Sequence, residues 1–259
     1  MRVAVLASGS RGNATLVEAG DTRILIDAGI GPRTIRRRAA AAGCVLAALD
    51  GIVITHGHAD HCAYAARTSR AFSAPLYATE ATQRSLLIRH ASGIRLFGCR
   101  APFRIGSVTI APLPVPHDCP QVALVLEHAG ERLGLVTDLG TVPATLVEHL
   151  SGCDTLLIES NHDAGMLANG PYSPALRARI ASDLGHLSNA QTASLLTRLS
   201  PSARTVVLMH LSEKNNTPKV ALESARRALG RRQAHLQVAH QDTPLLVRHH
   251  PQMQLSLSI

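Results

Sequence analysis

Six successive residues, His56-Gly57-His58-Ala59-Asp60-His61, carry three imidazoles and one carboxylate. Nitrogen and oxygen donors packed this closely are the material of a divalent-metal site. Gly57 lets the backbone bend between them. Side chains two apart in an extended segment point the same way, so His56 and His58 can share one ion; Asp60 and His61 fall beyond the bend, placed for a second. A histidine-rich surface loop is the competing reading, and what stands elsewhere in the chain decides against it.

The elements that would have to position such a site are short apolar runs. Ile24-Leu25-Ile26 is followed by Asp27, Ile52-Val53-Ile54-Thr55 by His56, Leu135-Val136-Thr137 by Asp138, and Val206-Val207-Leu208-Met209 by His210; Val108 to Val115 runs into Pro116 and His117. Strands that finish on one edge of a sheet deliver their next residues to a common rim, where a cleft collects them. Strands are predicted near 2–7, 14–18, 23–26, 51–55, 107–112, 121–127, 131–137, 154–158, 204–209 and 244–248. Helices are predicted from Pro32 to Gly43, from Ser173-Pro174 to near Gly185, behind a capping-box pattern at Ser188 and Gln191, and from Thr217-Pro218 to Gly230. Residues 249–259 read as a loose tail after one domain, 1–248.

Composition narrows the class. The 259 residues are 46% hydrophobic and 17% charged, enough to bury an ordinary core. No apolar stretch reaches the roughly 18 residues of a membrane span, and the N-terminal residues lack a secretory pattern. Five scattered cysteines, without a Cys-x-x-Cys pair, suit reduced thiols, so the cytoplasm is expected. The net charge of +8 comes from arginine, with Lys214 and Lys219 as the only lysines, and favours a polyanionic partner. With no Trp, three Tyr and three Phe, stacking platforms are scarce, so phosphates rather than bases would carry the affinity for a nucleic acid.

The series His56-x-His58-x-Asp60-His61, His117, Asp138, His210 resembles the ligand series of the metallo-β-lactamase superfamily. Ser8-Gly9-Ser10-Arg11-Gly12-Asn13, Glu159-Ser160-Asn161-His162-Asp163, Gly185-His186-Leu187-Ser188-Asn189 and His210 to Asn216 resemble its YycJ/WalJ group. The resemblance implies an α/β fold, the αββα sandwich of two mixed sheets flanked by helices. It also implies a dinuclear metal-dependent hydrolase, a phosphodiesterase or exonuclease acting on DNA or RNA. His56, His58 and His117 would hold one ion, Asp60, His61 and His210 the other, and Asp138 would bridge them. Carboxylate bridging lets two cations sit roughly 3.5–4 Å apart, and a water held between them becomes the hydroxide nucleophile near neutral pH. Zn²⁺ is favoured, with Mn²⁺ next.

Around that set, Asp27 would support the metal-binding loop without touching an ion, and Asp60 would be catalytic as well as a ligand. His186, in a Gly-His-x-Ser context, would protonate the leaving oxygen. Ser212, Asn215 and Asn216 offer hydroxyl and amide groups to a phosphate. Glu159, Asn161, His162 and Asp163 read as local scaffolding, Ser8 to Asn13 as a tight turn beside the site, and Cys62 as a packed small residue. Arg36, Arg37 and Arg38, and Arg226, Arg227, Arg231 and Arg232, read as solvated helix faces. Because the same ligands serve several chemistries, a glyoxalase II-like thioesterase or a small-molecule phosphodiesterase is the alternative.

Overall fold

Apolar residues alternate along the longer strands, and because strand side chains alternate between faces, each strand feeds two cores at once. The computed structural model describes residues 1–85, 87–89, 91–199, 203–232 and 234–248; the expected tail, 249–259, lies outside them. The first sheet holds β1 (Arg2–Ala7), β2 (Ala14–Ala19), β3 (Thr22–Ile26), β4 (Gly51–Val53), β5 (Leu76–Ala78) and β6 (Ile94–Leu96). The second holds β7 (Phe103–Ile105), β8 (Val108–Val115), β9 (Gln121–His128), β10 (Glu131–Val136), β11 (Thr155–Glu159), β12 (Thr205–Met209) and β13 (His235–Val238). A last strand, β14 (Leu245–Leu246), returns to the first sheet, antiparallel to β1, to give the orders β14-β1-β2-β3-β4-β5-β6 and β13-β12-β11-β10-β9-β8-β7.

Three cores separate four layers. Val3, Val5, Ile24 and Ile26 of the first sheet meet Ile110, Leu124, Leu135 and Val207 of the second between the sheets. On its outer face the first sheet packs Leu6, Leu25 and Ile52 against Ile35 and Ala39 of α1 (Pro32–Ala41), and against Cys62 of α2 (Ala59–Cys62) and Phe72 of α3 (Ala65–Phe72). After α4 (Glu80–Gln83), the remaining helices follow the second sheet: α5 (Ala144–Leu150), α6 (Ala164–Ala168), α7 (Pro174–Ile180), α8 (Asn189–Arg198) and α9 (Pro218–Leu229). Leu146, Leu195, Leu196, Ala221 and Ala225 of these helices cover Leu156, Ile158, Val206 and Leu208. The fold is therefore the αββα sandwich of two mixed sheets flanked by helices. Each fully buried Leu or Ile in such a core is worth about 1.5–3 kcal/mol over its exposed state.

Strand direction decides where the site forms. β3 and β4 run parallel, as do β10, β11 and β12, and β8 points the same way as β10 because both pair antiparallel with β9. Their C-terminal ends therefore open on one edge of the sandwich. Helix ends obey local chemistry: Ser188 and Gln191 close the capping box that starts α8, while Ser173 and Thr217 cap α7 and α9 ahead of Pro174 and Pro218.

The elements missed from sequence are α3 and α5, of eight and seven residues and without a side-chain cap to mark their starts, and several still shorter ones. The strands β5, β6, β7 and β13 span three or four residues each, and α2, α4 and α6 four or five, too short for either periodicity to register. Strand β4 ends at Val53, two residues before the predicted boundary, because the backbone must leave the sheet to present His56.

Candidate metal centre

Asp27, Asp138 and His210 follow β3, β10 and β12 directly or one residue on, and each lies in the left-handed region, with φ of 61°, 59° and 55°. That conformation is uncommon for residues with a Cβ and holds where surrounding structure enforces it, most often at functional sites. Here it turns the chain off the strand end at three places on one rim. The histidine loop is fastened to the turn of Ser8 to Asn13: Asn13 N donates to Asp60 O at 2.7 Å, and a Cβ on Gly29 would lie 1.8 Å from that same oxygen, so only glycine fits there.

The loop, His117, Asp138 and His210 then converge. Ring centroids of His56 lie 4.7, 4.1 and 5.4 Å from those of His58, His61 and His117, and His61 is 5.8 Å from His210. Donor atoms of Asp60, His61, Asp138 and His210 lie within 4.8 Å of one another, and so do those of His56, His58, His117 and Cys119. All seven residues expected as ligands therefore meet at one focus.

Hydrogen bonds orient the rings. Thr55 Oγ1 donates to Asp27 (2.9 and 3.0 Å to its two oxygens) and so accepts from His56 Nδ1 at 3.1 Å. His61 Nδ1 donates to Asp27 Oδ2 at 2.7 Å, His117 Nδ1 to Gly185 O at 3.2 Å, and His210 Nδ1 to Glu159 Oε1 at 3.0 Å. With Nδ1 engaged in all four, Nε2 is the atom turned to the focus, as in ligating imidazoles held by carboxylates and carbonyls, and that of His61 also lies 2.9 Å from Asn13 Nδ2. His58 differs: its Nδ1 is 3.3 Å from His117 Nε2 and its Nε2 is 3.0 Å from Asp118 Oδ1.

The donor set passes a test of fit to divalent ions. His56 Nε2, Asp138 Oδ2 and His210 Nε2 are buried without a hydrogen-bond partner among the described residues. Asp138 Oδ2 comes to 3.0 Å from His61 Nε2 and His210 Nε2 to 3.4 Å from Asp60 Oδ2, both without hydrogen-bond alignment. An orphaned buried polar atom costs about 1–3 kcal/mol, and three at one focus are what a positive ion would satisfy.

Charge in the metal-free protein follows the same map. Burial and the neighbouring His61 charge push His56 well below its ordinary value. Burial also opposes charge on His61, but the carboxylates of Asp138 and Asp27 outweigh it and hold that imidazole protonated well above 6.5. For His210, Asp138, Asp60 and Glu159 overcome burial and lift the pKa to about 10. Asp138, despite complete burial, is held well below the carboxylate range by His210 and His61.

Glu159 and Cys119 were not expected in the site. Glu159, at the end of β11, is fully buried and accepts from Asp138 N (3.1 Å), Leu139 N (3.3 Å) and Leu187 N (2.9 Å) as well as from His186 and His210. It is the hub of the centre rather than scaffolding. The signal was present: Glu159 ends an apolar run, as the ligand residues do. Cys119 lies two residues beyond His117, half-buried, with burial pushing its thiol up to about 11.

His186 lines the same cavity, a hollow of about 390 Å³ walled by Ser10, Tyr172, Leu176 and Arg179 around His58, Asp60, His117, Asp138 and His210. Ser212, Asn215 and Asn216 do not line it. Ser212 Oγ accepts from Asn215 N at 3.1 Å, and Asn216 Nδ2 donates to Ser160 O, Asn161 O and Asn189 Oδ1, so these groups tie the loop after His210 to the loop after β11. The sequence expectation of phosphate contact is corrected to loop bracing, because the amides are buried behind the rim. Cys62, as expected, packs beneath the loop, its thiol on Gly57 O. Arg38 departs from a solvated face: it is buried and bonded to Leu6 O, Gln241 O and Asp242.

Comparison with known proteins agrees with this geometry. A family model described as a beta-lactamase superfamily domain matches residues 22–211. Exodeoxyribonuclease WalJ of Streptococcus pneumoniae is 32% identical over 229 residues, 85% of either chain. Exodeoxyribonuclease YycJ of Bacillus anthracis is 30% identical over 237 residues, 88% of this chain and 89% of that one. Among solved structures, the metallo-beta-lactamase fold protein YhfI of Bacillus subtilis superposes with a TM-score of 0.73 at 18% identity, over 94% of this chain and 98% of its own. This chain belongs to the metallo-β-lactamase superfamily and, within it, to the family of the WalJ and YycJ proteins.

Proposed function

We propose that this protein is a metal-dependent phosphodiesterase that acts as an exonuclease on DNA. His56, His58 and His117 would hold one divalent ion, Asp60, His61 and His210 a second, and Asp138 both, with Zn²⁺ preferred and Mn²⁺ accepted. Ions so held supply Lewis acidity and an activated water near neutral pH. The observation that carries the reading is the set of three buried atoms without a hydrogen-bond partner among the described residues, His56 Nε2, Asp138 Oδ2 and His210 Nε2, at the focus of seven ligand-type side chains.

The chain's own residues do the rest. Asp27 and Glu159 hold three of the imidazoles by Nδ1, which fixes ring and tautomer without a reorganisation cost during reaction. His186, whose Nδ1 donates to Glu159 at 2.9 Å, presents its other nitrogen as the acid that protonates the leaving oxygen. Burial opposes that charge, but the Glu159 carboxylate prevails and raises the pKa, which favours the protonated imidazole that an acid requires. Arg179, largely exposed on the cavity wall, offers a guanidinium to phosphate.

Support for a nucleic acid comes from the two relatives named as exodeoxyribonucleases and from a net charge of +8. A cavity of about 390 Å³ suits one terminal nucleotide. No helix among the described residues is long and apolar enough to cross a membrane, and five free cysteines favour the cytoplasm. The test is metal analysis joined to incubation with end-labelled DNA and RNA, with and without a 5′ phosphate, His58→Ala serving as the blank. Stepwise release of nucleotides from DNA by the intact protein alone is expected. Hydrolysis of S-lactoylglutathione with no attack on either nucleic acid would replace this reading by a thioesterase.

A further inference from the structure

Cys119 stands where a further donor to the first ion, beside His56, His58, His117 and the shared Asp138, would stand. Its sulfur and the imidazole nitrogens of His56, His58 and His117 lie within 4.8 Å of one another, and His56 Nε2 is wholly buried with no hydrogen-bond partner among the described residues. The segment that carries the sulfur is short and stiff. Pro116 and Pro120 bracket 117–119 and fix φ at each end. Pro116 O accepts from Gly140 N at 3.1 Å, and Val122 N donates to Thr55 O at 3.4 Å, so the loop is tied both to the segment after Asp138 and to the residue before His56. Between His117 and Cys119, Asp118 meets His58 Nε2 at 3.0 Å and His117 Nε2 at 3.4 Å through Oδ1 and accepts from Arg179 Nε at 3.0 Å through Oδ2, which pins the bend against the histidines.

The other four cysteines have other surroundings. Cys44 and Cys153 are buried in the outer cores, Cys62 packs beneath the histidine loop with its thiol on the O of Gly57, a residue whose backbone the Cys119 thiol also meets, and Cys99 is exposed. Three imidazoles and a sulfur, beside the shared Asp138, make a donor set richer in nitrogen and sulfur than in oxygen, which Zn²⁺ accepts and which Mn²⁺, preferring oxygen, does not favour. Asp60, His61, Asp138 and His210 offer two imidazoles and two carboxylates, a set open to either ion.

We propose that Cys119 ligates the ion held by His56, His58 and His117, making that position selective for thiophilic divalent metals while the Asp60–His61–His210 position stays permissive. The proposal rests on the ligand set assigned above. The two positions therefore differ in exchangeability: Mn²⁺ replaces Zn²⁺ at the second and not at the first.

Cobalt tests this without reference to activity. The purified full chain, stripped of metal and loaded with Co²⁺, is expected to show a sulfur-to-cobalt charge-transfer band in the near ultraviolet together with visible d–d absorption. Cys119→Ser and Cys119→Ala should keep the visible bands and lose the ultraviolet one. In competition between Zn²⁺ and Mn²⁺, followed by metal analysis, both variants should lose about tenfold or more of the Zn²⁺ preference at one of two bound ions. Visible bands without the charge-transfer band in the unaltered protein would overturn the role of Cys119 alone, as would a band that survives both substitutions. Failure of the unaltered protein to bind Co²⁺ at all would remove the ligand set and Cys119 with it.

Discussion

Glu159 Oε1 lies 2.9 Å from His186 Nδ1 and is the same oxygen that holds His210 Nδ1 at 3.0 Å, so one buried carboxylate orients both a proposed ligand and the proposed acid. Glutamine in its place would keep the size but turn one acceptor into a donor facing backbone N–H groups. Glu159→Gln should therefore lose about 3 kcal/mol of stability in urea titration and bind less metal. Wild-type stability with wild-type metal content would show that the carboxylate is passive.

His186→Ala should retain both ions by metal analysis and slow turnover of DNA by about 10²–10⁴-fold. A phosphodiester with an activated leaving group, such as bis-p-nitrophenyl phosphate, needs no acid and should be affected far less. An equal loss on both substrates would point to a structural part for this histidine.

Metal binding should expel protons. In the metal-free protein His210 titrates at about 10 and His61 is also raised, against burial, by Asp138 and Asp27, whereas ligation requires both neutral. Titration calorimetry near pH 7.5, repeated in buffers of different ionisation enthalpy, should report proton release, and affinity should climb with pH. Buffer-independent heats would contradict this.

The same shifts shape stability without metal. Because the folded pKa of His210 is raised, its contribution is complete below about 6.5 and disappears as pH rises towards about 10. Glu159 is held down to about 2 by His186 and His210 despite full burial, so its contribution is present above its ordinary 4.5 and is lost as pH falls towards 2. Urea midpoints of the stripped protein should fall at both extremes. A plateau from pH 3 to 10 would be inconsistent with these assignments.

Asp27→Ala removes the acceptor of His61 Nδ1 and of Thr55 N (2.8 Å) at once. Metal affinity should drop by about 10–100-fold, read by chelator competition. Arg179→Ala, by contrast, should leave metal content unchanged, raise KM for DNA and lower the salt dependence of binding by about one phosphate contact. An unchanged salt slope would free Arg179 of any contact with substrate.

Much of the centre was legible from residue types at the ends of apolar runs. Asp27, His56, His117, Asp138 and His210 were marked in this way, because strand ends are where a sheet delivers polar side chains, and His58, Asp60 and His61 by their close spacing behind His56. Glu159 followed the same rule and was passed over, since a ligand series that was already full left it no role. Cys119 gave no signal, because a lone cysteine two residues beyond a histidine is uninformative until His56 and His58 are brought in from the other sheet.

Composition and local pattern by themselves determined the strand ends, the proline-started helix α1, the capped helices α7, α8 and α9, and the chemistry available at the rim, because these depend on alternation, helix-start residues and donor type within a few residues of chain. Tertiary structure alone decided that β3, β4, β8, β10 and β12 discharge on one edge, that Asn215 and Asn216 brace a loop behind it, and that Glu159 stands at its hub. Those outcomes depend on which strands pair and in which direction, a choice made by the burial of two sheets against each other and invisible in any one segment.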